Sequence, residues 1–157
     1  MKLNLGCGDN IKKGYINIDM NFNKNINLVA DVKRLPFKTN SITEIFAQDI
    51  YEHIPHEESQ TLLNHWADIL KPKGLLYLQL PSLDCVTLKY NELKTVEELE
   101  WIIQRIFGCH KFDANNHRTI GHPTLLKHYL MKAGITKITI ESCDFGSTLN
   151  MRIWAFK

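Results

Sequence analysis

No apolar stretch in the sequence approaches the 18 or so residues that cross a bilayer. The N-terminus, MKLNLGCG, also lacks the long apolar segment of a secretory signal. Together these absences predict no membrane insertion. The four cysteines, Cys7, Cys85, Cys109 and Cys143, stand far apart with no C-x-x-C pair, so a disulfide framework is not expected and the chain reads as cytoplasmic with reduced thiols. Charge of one sign is also scarce: 19 Lys and Arg against 17 Asp and Glu leave a formal net charge of +2. Without a dense basic run, no nucleic-acid partner is expected. Repeats, low-complexity tracts and Pro-, Gly- or Ser-rich linkers are missing as well. Residues 1–157 are therefore expected to form a single domain.

What is present is an alternation of strand and helix. Short β-compatible runs occur at Lys2 to Leu5, Tyr15 to Asp19, Ile26 to Ala30, Glu44 to Ala47 and Leu75 to Leu80, each bounded by turn or polar residues. Two more, Ile135 to Ser142 and Met151 to Phe156, close the chain. Leu62, Leu63, Trp66, Ala67, Ile69 and Leu70 recur at the spacing of one helical face, with Pro72 and Gly74 as stop signals. A second helix is predicted from Val96 to Phe107, with Thr95 and Glu98 in capping-box register and Gly108 at its end. A third runs from near Pro123 to before Gly134. This order predicts an α/β fold with a mostly parallel sheet covered on both faces and a ligand site beyond the carboxyl ends of the strands. The short Cys143 to Asn150 connection suits an antiparallel final pair.

The loop LNLGCGDN puts Gly6 and Gly8 directly after an apolar strand, where absent side chains let backbone amides approach a ligand. Eleven residues after Gly8, Asp19 ends the second run, YINID, placed to accept hydrogen bonds from ribose hydroxyls. Ile11 stands where G-x-G-x-x-G has its third glycine, and only a few residues separate Gly8 from the second strand. That spacing argues against a nicotinamide enzyme, whose glycine loop opens a full helix.

LNLGCG, YINID, ADVKRLPF, SITEIFAQDIYEHI and LKPKGLLYLQLPS together resemble the S-adenosylmethionine-dependent methyltransferases of the Rossmann-like class, within them the small type-11-like group. IFGCHKFDANNHRTIGHPTLLKHYLMKAGI resembles the same family's late segment. The resemblance implies a three-layer sandwich around a seven-stranded sheet of order 3-2-1-4-5-7-6, with strand seven antiparallel. It further implies that Asn4, Gly6, Cys7 and Gly8 border the methionine part of the cofactor S-adenosyl-L-methionine. Asp19 would take the ribose, Met20, Asp31 and Val32 the adenine, and Gln48 the methyl end. Departures from the family pattern are Asn4, where an acid is usual, Asn10 in place of a third glycine, and a first helix of at most one turn.

For chemistry, methyl transfer to a hydroxyl needs a base with a pKa near neutrality, which nominates histidine. His53 and His117 are the catalytic candidates. Asp49, Tyr51 and His122 are candidate acceptor contacts, and residues 83–122 the expected acceptor-side segment. Cys109, His110, His117 and His122 lie close in sequence but match no zinc spacing, so no metal site is expected. The acceptor is expected to be a small molecule or a glycan sugar, methylated at oxygen. Alternatives are a cofactor-binding protein without catalysis, and a nicotinamide-dependent reductase.

Overall fold

The computed structural model describes residues 1–109, 115–142 and 149–157. Seven strands, β1 (Lys2–Leu5), β2 (Ile16–Asp19), β3 (Leu28–Val29), β4 (Ile42–Gln48), β5 (Leu70–Pro81), β6 (Lys137–Glu141) and β7 (Asn150–Phe156), form one sheet. Its order is β3-β2-β1-β4-β5-β7-β6. The first five strands pair in parallel, and β7 runs antiparallel to both β5 and β6. The expected strand order and reversed strand are thus both found. Residues 143–148 of the expected Cys143 to Asn150 connection fall outside the described residues.

The register shows how the sheet is covered. Directly paired residues share a face, and one face carries Leu3, Leu5, Ile45, Ala47, Leu76, Leu78, Met151, Ile153 and Ala155, all buried. Against it pack α1 (Ser59–Ile69), through Leu62, Leu63 and Trp66, and α4 (Pro123–Lys132), through Leu126 and Leu130. The other face differs. Asn4, Phe46, Tyr77 and Trp154 sit side by side there, with Phe46 stacked on Tyr77 at 4.7 Å and Tyr77 edge-on to Trp154 at 5.5 Å. These aromatic rings are half-buried, and the Lys12 ammonium lies 3.8 Å from the Phe46 ring centre, a cation–π contact. Residues 6–15 lie along this face, Lys12 over the Phe46 ring and Tyr15 against Glu44.

No helix forms between β1 and β2, one step beyond the single turn expected. Buried side-chain amides do its structural work. Asn4 Nδ2 donates to the Asn10 carbonyl and to Asn17 Oδ1, both at 2.8 Å. Asn17 Oδ1 also accepts from the Lys12 amide at 2.8 Å, and Asn27 Oδ1 accepts from the Asn17 amide at 2.8 Å. A loop without helical hydrogen bonds must satisfy its backbone groups otherwise, and these amides do so while fixing the glycine loop to β1 and β2.

Two further differences concern helix boundaries. The helix before β5 ends at Ile69, three residues before Pro72, and β5 begins at once with Leu70. Pro72 and Gly74 sit instead in a register shift, where Ile42 faces Leu70 and Glu44 faces Leu75. Lys73 there takes a φ of 66°. A helix absent from the sequence reading, α2 (Leu83–Tyr90), follows β5 and packs with α3 (Val96–Phe107) and Leu149 in a small separate apolar cluster. The capping box of Thr95 and Glu98 is present as expected.

Candidate functional site

Beyond the carboxyl ends of β1, β2 and β4 lies a cleft of about 850 Å³. Its floor begins at Gly8, whose φ of 46° is costly for any residue with a side chain. A Cβ there would meet no atom within 4 Å, so the glycine leaves open space above the loop. Asp19 folds back over this loop: its Oδ2 accepts from the Gly8 amide at 2.9 Å and its Oδ1 from the Asn21 amide at 2.8 Å. Each oxygen keeps further lone pairs for a ligand hydroxyl.

The far wall is held by α1. Trp66 Nε1 donates to the Val32 carbonyl at 2.9 Å, and His65 Nε2 accepts from the Leu35 amide at 3.0 Å. These bonds pin the turn after β3, in which Asp31 Oδ1 accepts from the Lys33 amide at 2.9 Å. Asp31 and Val32 thereby line the cleft beside Asp19 and Met20.

The third wall comes from two segments far apart in sequence. After β4 the chain makes a single 3-10 turn, Tyr51–His53. The return segment after α3 closes onto it, the Arg118 and Thr119 amides donating to the Glu52 carbonyl at 2.7 and 3.1 Å. Gly108 makes this return possible: with a φ of 85° it brings the chain so close that a Cβ would lie 1.9 Å from the Asn115 carbonyl oxygen. His53 and His117 consequently meet, ring centres 5.0 Å apart and edge to face. His53 Nδ1 lies 3.2 Å from the Asn116 carbonyl oxygen and His117 Nδ1 3.0 Å from that of Arg105. Carbonyl oxygens only accept, so each Nδ1 carries a hydrogen, and in the neutral imidazole the lone pair is then on Nε2. Burial, reinforced by the neighbouring His53, holds the His117 pKa below its ordinary value, favouring neutral imidazole.

Beside them is Glu52, a residue not singled out from the sequence. It is 1% exposed, its Oε2 has no hydrogen-bond partner, and burial pushes its carboxyl up to about 8. The charge of Asp49 adds to that rise, and the field of Arg105 opposes it. One ligand atom from each of Glu52, His53 and His117 lies within 4.8 Å of the others.

The structure brings Gly6, Gly8, Asp19, Met20, Asp31, Val32, Asp49 and His53 onto the cleft. Others fall elsewhere. Asn4 is spent on the amide network, Cys7 is buried beneath the loop, and Gln48 bonds to Asp49 at 3.2 Å. Tyr51 turns into the core, where burial pushes its hydroxyl up to about 12. His122 stands at the start of α4, 3.6 Å from Asp84. His117 packs edge-on to His53 and does not itself line the cleft. Asn116 and Arg118, not singled out from sequence, line the cleft.

Charge decides what the cleft suits. Asp9, Asp19, Asp31, Asp49 and Glu58 face it with Lys33 and Arg118, and Lys33 is paired with Glu58 at 3.0 Å. The surplus is negative. A pyrophosphate would meet carboxylates and no helix N-terminus, which removes the basis for a nicotinamide reductase; a ligand carrying a sulfonium cation meets attraction. The parallel sheet closed by one antiparallel strand is the fold of the Rossmann-like methyltransferases.

Residues 3–78, just under half of the chain, match a family described as "Methyltransferase domain", the type-11 methyltransferases. A SAM-dependent methyltransferase from Archaeoglobus fulgidus superposes with a TM-score of 0.66 at 16% identity, covering 99% of this chain and 85% of its own. One from Thermotoga maritima gives 0.64 at 13% identity, over 99% and 81%. The carbon methyltransferase CurJ gives 0.62 at 15% identity, over 99% and 47%. No curated protein matches the sequence. Over residues 3–78 the chain is thus similar to the type-11 methyltransferases, and its fold is that of the S-adenosylmethionine-dependent methyltransferases. Among the described residues no helix is long and apolar enough to cross a membrane.

Proposed function

We propose that the protein methylates an oxygen of a small molecule or sugar held at the His53, Asn116 and Arg118 end of the cleft. The observation carrying this reading is the continuity of one cleft from the open space above Gly8, past Asp19 and Asp31, to His53. The residues fit S-adenosylmethionine: Asp19 offers its free lone pairs to the ribose, Asp31 and the Val32 backbone border the adenine, and the surplus of carboxylates matches the sulfonium. When bound, the cofactor supplies a methyl group on an already activated leaving sulfur, so the chain's main task is alignment of the acceptor. His53, its Nε2 free and its ring fixed through Nδ1, is the group that takes the acceptor's proton. Asp49, held by Asn150 Nδ2 at 2.9 Å, and Arg118 orient the acceptor's polar groups.

Calorimetric titration with S-adenosylmethionine and S-adenosylhomocysteine tests the cofactor half of the proposal. Both are expected to bind, and Asp19→Ala to weaken binding by about 1 to 3 kcal/mol, the range for a charged acceptor. Binding unaffected by Asp19→Ala, or preference for NAD, would remove this reading. A screen of hydroxylated acceptors follows, with His53→Ala expected to lower turnover by about 10²- to 10⁴-fold, the usual contribution of a general base.

A further inference from the structure

We propose that Glu52, His53 and His117 form a binding site for a divalent transition-metal ion of the zinc type, set in the wall of the cleft. Two imidazoles and one carboxylate are a recurrent protein donor set for zinc in sites that keep one position open for water or substrate. Three independent features of the structure support the assignment. The donors already converge within 4.8 Å, and a tetrahedral ion needs them about 3.4 Å apart, so binding requires a contraction of at most about 1.4 Å. Both imidazoles give Nδ1–H to a backbone carbonyl, the outer contact that fixes a metal-binding histidine with Nε2 facing its ion. Glu52 is fully enclosed with its Oε2 unbonded, and a buried oxygen of this kind is costly unless a donor or a cation meets it.

A rival partner is near. Arg105 acts on Glu52 through its charge, and its own Nε is buried without a hydrogen bond. An arginine pair would satisfy Glu52, but it would not account for the convergence of both imidazoles on the same carboxylate. Because His53 also lines the cleft, the open coordination position faces the space assigned above to the acceptor, and an ion held on His53 Nε2 would take the place of that nitrogen as base by lowering the pKa of a hydroxyl bound to it; this last point rests on the proposed function, whereas the metal site itself does not.

The test is direct metal binding. Chelator-treated protein is titrated with Zn²⁺ by calorimetry, and with Co²⁺ by visible absorption, whose intensity reports tetrahedral coordination. One ion per chain is expected, with affinity lowered at least tenfold by each of His53→Ala, His117→Ala and Glu52→Gln and unchanged by His122→Ala. Circular dichroism and thermal melting of each variant check folding, and His53→Gln and His117→Gln serve as milder replacements. Absence of Zn²⁺ binding, or binding that survives loss of either histidine, overturns the inference. Loss with the histidines but not with Glu52→Gln also overturns it, since Glu52 would then belong to Arg105. S-adenosylmethionine is titrated into the same metal-free protein: its binding without Zn²⁺ binding defeats the metal site alone, and Zn²⁺ binding without it defeats the reading of the cleft.

Discussion

Gly8 and Asp19 show how little side chain a cofactor loop needs. Since the Gly8 position has a positive φ but open space around it, Gly8→Ala should cost the fold only the left-handed strain, about 1 to 2 kcal/mol. Its methyl group would project into space the ligand needs, so binding of S-adenosylhomocysteine should fall more steeply than stability. Paired denaturation and calorimetry measure the two separately, and a loss confined to stability would contradict the placement. Both residues could be read from the sequence because glycine and aspartate in this spacing have few other uses. Glu52 could not: a lone glutamate before a histidine has no periodicity, and its significance comes from His117, brought back 65 positions later by Gly108. The same separation hides the two-histidine, one-carboxylate set from any search for local metal spacing.

Among elements, strand cores were legible and their ends were not. Lys2–Leu5 coincides with its expected range, while β5 starts five residues earlier than its apolar run, because a bulge lets Pro72 and Gly74 stay within strand pairing. The helix α2 escaped because only Cys85 and Val86 are buried, leaving no stripe to detect. The strand order came from family resemblance, since periodicity says nothing about which strands become neighbours. One inter-strand contact lends itself to a pH experiment. Glu44 on β4 meets Lys2 on β1 at 2.7 Å and accepts from the Tyr15 hydroxyl just before β2. Although burial alone would raise its pKa, Lys2 and Tyr15 hold it below the ordinary 4.5. A lowered carboxyl stabilises the fold above its unfolded value, and this contribution disappears as pH falls through the folded value. The stability difference between wild type and Glu44→Gln should therefore be present at pH 7 and shrink below about pH 4.5. Solvent screening limits it to about 1 kcal/mol. Urea titrations across pH would show this, and a gap independent of pH would contradict the assignment.

At the scale of the whole molecule, the cleft joins β1, β2, the turn after β3, the turn after β4 and the segment that follows α3. A ligand bound across all of these stabilises only the assembled chain. At a hundredfold excess over its dissociation constant it should add about 2.7 kcal/mol, which for a chain of this length raises the melting temperature by roughly 5 to 10 °C. S-adenosylhomocysteine should produce this shift and NAD should not; calorimetric melting distinguishes them.

The position of β7 has a consequence for synthesis. The ribosome delivers the chain from Lys2 onward, and everything from β1 to β5 can pair as it emerges. Yet among the described residues β5 offers its second edge, from Leu75 to Pro81, only to β7, and β6 likewise pairs only with β7. Until residues 150–156 leave the exit tunnel, a nascent chain carries one open strand edge and a strand with no partner, the features through which incomplete chains associate with one another.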